Sequence, residues 1–84
     1  MITVRLPVML RGEDGRPELT VGEPVTNVRQ LVEALQRLRT DLAAHLHDSL
    51  YNFAVNDTLL LHGADAHPLA DGDIVEVIPT IAGG

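Results

Sequence analysis

Asn27-Val28-Arg29-Gln30-Leu31-Val32-Glu33-Ala34-Leu35-Gln36-Arg37-Leu38 is the stretch that decides the architecture, because here the apolar residues change from alternation to steps of three and four. Val28, Leu31, Leu35, Leu38 and, further on, Leu42 fall on one side of a helix, while Arg29, Gln30, Glu33, Gln36 and Arg37 take the other. The spacing predicts an amphipathic helix of about three to four turns. Asn27 supplies an N-cap oxygen, and Gln30, three residues on, completes a capping-box arrangement for amides that the first turn leaves unpaired. After Thr40 the segment from Leu42 to Leu46 predicts one more short helical turn.

Strand patterns flank this helix on both sides. Ile2, Val4, Leu6 and Val8 alternate with Thr3, Arg5, Pro7 and Met9, the period of a strand with one buried face. Asp14-Gly15 lies in a polar loop, and Leu19 to Val21 resume a second strand that Pro24 closes, so the two form a hairpin. Beyond the helix, Tyr51, Phe53 and Val55 alternate with Asn52, Ala54 and Asn56. The Asn56-Asp57 turn follows, then a short strand from Thr58 to Leu61. Asp71-Gly72-Asp73 is a further turn, and the β-branched run from Ile74 to Ile78 ends at Pro79. Alternation puts Ile74, Glu76 and Ile78 on one face, which mixes apolar and charged side chains. The order β-β-α-β-(β)-β predicts an α+β domain: a mixed sheet of four to five strands covered by one main helix, the helix crossing over to permit a parallel pair.

At 84 residues the chain has room for one domain, which we assign to residues 1–79, with residues 80–84 as a flexible tail. Tyr51 and Phe53 are the only aromatic residues, so Val, Leu and Ile must build the core. Twelve acidic residues against six basic give a formal charge of −6, which repels phosphate backbones and anionic membrane surfaces. No nucleic-acid or membrane partner is expected. The lack of cysteine removes disulfides, thiolate metal sites and a cysteine nucleophile from consideration. No apolar run approaches the ~18 residues that span a bilayer, and Met1 to Leu10 lacks the layout of a signal peptide. A cytoplasmic location is expected.

The last strand leads directly into Pro79-Thr80-Ile81-Ala82-Gly83-Gly84. The two final residues carry no Cβ and can thread a narrow channel. Five residues follow Pro79, so at ~3.3–3.6 Å each the terminal carboxylate of Gly84 reaches roughly 17 Å from the domain. A glycine carboxylate is also an unhindered acyl group.

With this tail, the opening strand Met1-Ile2-Thr3-Val4, the helix start Asn27-Val28-Arg29-Gln30-Leu31, the segment Val55-Asn56-Asp57-Thr58-Leu59 and the turn His67-Pro68-Leu69-Ala70-Asp71-Gly72-Asp73 stand in the order seen in one family. The chain resembles the ubiquitin-like sulfur carriers, the family of the molybdopterin synthase small subunit and the thiamine-pathway sulfur carrier, and it is most similar to the former. The resemblance implies a β-grasp fold and a chain that is no enzyme itself. A partner adenylating enzyme, similar to ubiquitin-activating enzymes, would spend ATP to convert the Gly84 carboxylate to an acyl adenylate. A persulfide sulfur would then displace AMP and leave a thiocarboxylate, which a sulfur-acceptor enzyme consumes in molybdopterin synthesis. No cofactor is expected on the carrier. The same chemistry could serve cysteine, thiamine or another thio-metabolite, and a ubiquitin-like protein modifier is the remaining alternative. Leu6-Pro7 and Val77-Ile78 stand where molybdopterin subunits commonly carry aromatic residues, and a Leu-Pro pair with an Ala-Gly-Gly ending resembles carriers for cysteine synthesis. The resemblance also assigns Pro7, Leu59 and Ile78 to the partner interface and Thr80, Ile81, Ala82 and Gly83 to the inserted tail. Pro7 cannot donate a ladder hydrogen bond, so it should lie where pairing stops, close to the emerging tail.

Other constellations carry less. His45, His47, His62 and His67 share no metal-ligand spacing, even with Asp65 as a fourth ligand, and no metal site is expected. Asp71 and Asp73 suit a turn better than an acid pair. Ser49, the sole serine, lacks a nucleophile-elbow context, and Gly12, Gly15 and Gly22 form no phosphate loop.

Overall fold

The computed structural model describes residues 1–12, 15–42, 51–60 and 63–79. Strand β1 (Ile2–Arg5) pairs antiparallel with β2 (Glu18–Val21), and helix α1 (Val28–Leu38) follows. Next come β3 (Tyr51–Val55), its antiparallel partner β4 (Thr58–Leu60), and β5 (Ile74–Pro79). The strands form one sheet in the order β2-β1-β5-β3-β4, with β1 and β5 parallel and every other pair antiparallel. This is the expected mixed sheet with one covering helix, at five strands.

Helix α1 begins as its sequence requires. Asn27 is extended and its side-chain oxygen accepts from the Gln30 amide at 2.8 Å, while Gln30 Oε1 reaches back to the Thr26 amide at 2.8 Å. The reciprocal bond goes to the residue before the cap, so the capping box is displaced by one position. Val28, Leu31, Ala34 and Leu35 are fully buried against Val4, Val21, Val75 and Val77 on one face of the sheet. Phe53 and Tyr51 pack at the margin of this cluster, so the core is aliphatic. Asn56 and Asp57 both take positive φ, 49° and 70°, which closes the two-residue turn between β3 and β4.

The structure corrects three expectations. Strand β1 stops at Arg5 instead of running to Val8. Leu6 still donates to the Pro17 carbonyl at 2.8 Å, but Pro7 has no amide hydrogen, and the chain folds into a 3₁₀ turn over Val8–Leu10. That turn interrupts the alternation, leaving Val8 75% exposed with Met9 beside it, while Leu10 at 2% exposure returns to the core. Leu38, expected on the buried stripe, is 58% exposed: it is the last helical residue, and Arg39 is already extended. Leu42 returns to full burial through the turn beyond. The final strand includes Pro79, opposite Tyr51, where Ile78 was expected to end it. The ladder to β1 covers only Ile74 to Glu76, so the missing amide of Pro79 leaves no bond unmade on that side. The anticipated helical turn past Leu42 and the tail from Thr80 onward lie outside the described residues, as does Leu61.

Candidate functional site at the end of the last strand

The register creates the site. On the face away from α1, Glu18, Arg5, Glu76, Ala54 and Leu59 form one continuous row across all five strands. Thr20, Thr3 and Ile74 make the row toward one end, and Asn52 and Ile78 the row toward the other. No helix covers this face among the described residues. Leu59 is 48% exposed and Ile74 37%, whereas Ala54, small and set between Glu76 and Leu59, is 6% exposed without belonging to the core cluster.

Because β1 ends first, β5 runs three residues beyond the last β1 pair. The space left beside it is a groove of about 330 Å³ lined by Leu6, Pro7, Arg11, Val77, Ile78 and Pro79, with Arg5, Glu18 and Glu76 along its open-face side. Arg5 Nε donates to Glu18 at 3.2 Å, and Arg11 Nε donates to the Leu6 carbonyl at 3.2 Å, which ties the turn after Pro7 back to the strand. Arg39 Nη1 also donates to the Leu10 carbonyl at 2.9 Å, so the turn is anchored from both sides while Val8 and Met9 project outward.

At the opposite end of β5 the Asp71-Gly72-Asp73 segment is a turn, with Gly72 at φ 91°. Asp73 accepts from the Ala70 amide at 2.9 Å and from the Asn56 side chain at 3.0 Å, and Asn56 Oδ1 accepts from the Ile74 amide at 3.0 Å. The Ala70 bond and then the Asn56 bond hold the Asp73 carboxyl below its ordinary range. This knot fixes where β5 starts and hence where it ends.

Pro7 and Ile78 therefore meet in one groove, at the point where Pro79 leads into the tail. Leu59 shares their face but sits two strands from β5, roughly 10 Å away. Gly84, Gly83, Ala82, Ile81 and Thr80 lie outside the described residues, as do His45, His47 and His62. His67 is in a loop where its carbonyl accepts from the Val28 amide at 3.1 Å. The sequence reading missed Val8, Met9 and Arg11; the signal was Pro7, which ends the pairing and releases the next residues from the strand's alternation.

Helix on mixed sheet, with this strand order, is the ubiquitin-like β-grasp class. The chain belongs to the ThiS family, whose profile matches residues 4–84, and so to the ubiquitin-like sulfur carriers that its motifs resemble. It is similar in structure to a chain of the Amycolatopsis orientalis BexX/CysO complex, with a TM-score of 0.82 and 23% identity over 100% of both chains. Mycobacterium tuberculosis CysO, described as an antigen, matches with a TM-score of 0.83 and 23% identity over 96% of this chain and 100% of its own. A chain of the complex of subunits 1 and 2 of Helicobacter pylori molybdopterin-converting factor gives 0.63 and 23%, over 99% and 97%. No curated protein matches. Among the described residues no helix is long and apolar enough to cross a membrane.

Proposed function

We infer that the chain is a sulfur carrier whose Gly84 carboxylate is adenylated by a partner enzyme and converted to a thiocarboxylate. One observation carries this reading: β5 outruns β1 and delivers Pro79 to the rim of a groove, from which five residues ending in Gly83-Gly84 continue. A free carboxylate resists nucleophiles because resonance and negative charge protect its carbon, whereas an acyl adenylate supplies a leaving group. The groove and open face, with Pro7, Ile78, Leu59 and the exposed Val8 and Met9, are the surface a partner would cover while the tail occupies its active site. Catalytic groups belong to that partner, and the carrier contributes a positioned acyl group.

The acceptor is proposed to be the large subunit of a molybdopterin synthase. Leu6-Pro7 and the Ala82-Gly83-Gly84 ending favour a second reading, delivery to cysteine or another thio-metabolite, and two neighbours bearing the CysO name support it. Intact mass tests the carrier reading. Incubated with its cognate adenylating enzyme, ATP and a persulfide donor, the chain should gain the mass difference between sulfur and oxygen on its C-terminal peptide. Larger adducts on lysines would instead identify a protein modifier, and an unchanged mass would refute the carrier reading. Removing Gly84, or adding a residue after it, should abolish the gain while stability stays within ~0.5 kcal/mol of the parent. A large fall in melting temperature would mean that the tail is structural.

A further inference from the structure

All six basic residues of the 84 are arginines, at positions 5, 11, 16, 29, 37 and 39, and none is lysine. Two of them, Arg5 and Arg11, line the groove that also contains Pro79, the residue from which the tail starts. We propose that guanidinium rather than ammonium groups at these positions, beside Glu18 and Glu76 in the same groove, keep nucleophilic amines away from the foot of the tail, so that the activated Gly84 carboxyl is not captured by its own chain. This inference rests on the proposed acyl activation.

The chemistry is that of an amine meeting an activated ester. The amine nitrogen attacks the carbonyl carbon, a C–N bond forms, the bond to AMP or to a thiolate breaks, and the amine proton passes to solvent. A lysine ammonium with a pKa of about 10.4 supplies a reactive fraction of free base in mildly alkaline solution, whereas a guanidinium, with a pKa above about 12, does not. Geometry makes the groove the dangerous place for such an amine. The tail reaches roughly 17 Å from Pro79, far more than the width of the groove that Arg5 and Arg11 share with it. Intramolecular capture across such a span proceeds at an effective concentration near the millimolar range.

The other primary amine is remote, and a histidine imidazole that attacked the carbonyl would form only an acyl-imidazole that hydrolyses to the free acid. The Met1 α-amine pairs with Asp71, and the Met1 carbonyl accepts from Gly72 at 2.7 Å, both at the start of β5. Six strand residues at ~3.3 Å put that end roughly 20 Å from Pro79, beyond a fully extended tail. The consequence is a carrier that holds an activated carboxyl without cyclising, and that offers no lysine for building chains of itself.

The test needs no partner protein. The full chain is made with an α-thioester at Gly84 by thiolysis of an intein fusion, incubated for a day in mildly alkaline buffer, and followed by intact mass. The parent should end as thioester and free acid alone. Arg11→Lys should accumulate a product one water lighter than the free acid, about a hundredfold faster than any dimer forms at about ten micromolar protein. Arg5→Lys, which retains a cation for Glu18, is the second variant and should behave likewise. Arg29→Lys, beside Asn27 and Asp65 at the far end of the molecule, should match the parent. Parent chain that cyclises or dimerises as fast as Arg11→Lys overturns the proposal. So does an Arg11→Lys and Arg5→Lys pair that folds and stays as inert as the parent. Failure of thiocarboxylate formation with the cognate enzyme, alongside the expected thioester results, would instead count against the carrier reading alone.

Discussion

Asp73→Ala should loosen the start of β5 by an amount the hydrogen bonds set. The carboxylate accepts two bonds, from the Ala70 amide at 2.9 Å and from Asn56 Nδ2 at 3.0 Å. A bond to a charged acceptor is worth about 1.5–3 kcal/mol when buried, but this carboxylate is well hydrated, and solvent screening reduces each to roughly 0.5–1 kcal/mol. The sum is about 1.5 kcal/mol, which for a domain of this size corresponds to a fall in melting temperature of roughly 6–12 °C. The same bonds lower the folded carboxyl below its ordinary value of 3.8. Protons therefore bind the unfolded chain more tightly, so the contribution is complete above that ordinary value and is lost as pH falls through the folded one. Thermal melts of parent and variant should differ by a constant amount from neutral pH down to about pH 5, and the gap should close below about pH 4. A gap that persists to about pH 2, or a variant that melts with the parent at neutral pH, would refute the assignment.

Ile78→Lys should fold normally, because Ile78 lies on the open face, and should weaken binding to the adenylating partner about tenfold or more, since an unpaired charge would be buried at the contact. Titration by calorimetry decides it, with His67→Ala, away from the groove, expected to bind as the parent does; unchanged binding by Ile78→Lys moves the interface elsewhere, and failure to fold makes Ile78 core. Leu35→Ala, at a fully buried position, should lower stability by about 2–5 kcal/mol in urea unfolding, a large share of the ~4–13 kcal/mol expected of the whole domain. A loss below about 1 kcal/mol would mean that the helix is not held by this cluster.

What the sequence disclosed and what it hid follow the range of the interactions concerned. Asn27 as cap, the stripe through Leu31 and Leu35, and the Asn56-Asp57 turn are encoded within a few residues of one another, so their periods and turn chemistry were readable. The pairing of β1 with β5 joins residues some seventy positions apart and is fixed by the helix crossover and by shared burial, neither of which has a local signature. Val8 was misplaced because alternation continued in the letters after Pro7 had ended it in the backbone. Leu38 shows the same limit at a helix end, where periodicity survives but the cover does not. The groove was invisible for a further reason: it arises from the difference between where two parallel strands stop. Pro7 and Ile78 could be named singly, yet only the register brings them together.

The composition of the open face bears on how firmly a partner could be held. Its central row is charged on one side and apolar on the other, from Glu18, Arg5 and Glu76 to Ala54 and Leu59, and the Arg5–Glu18 pair is about half exposed. A surface of this mixture resembles non-obligate interfaces, whose rims stay hydrated and whose ion pairs contribute little net affinity while limiting wrong partners. A carrier of the proposed kind must leave the enzyme that activates it before it can dock with the acceptor, so slow dissociation would cap its turnover. An all-apolar face would bury more area and release more slowly. The charged row offsets that tendency, and specificity then rests on two requirements met together: a docked face, and a glycine tail that reaches the chemistry.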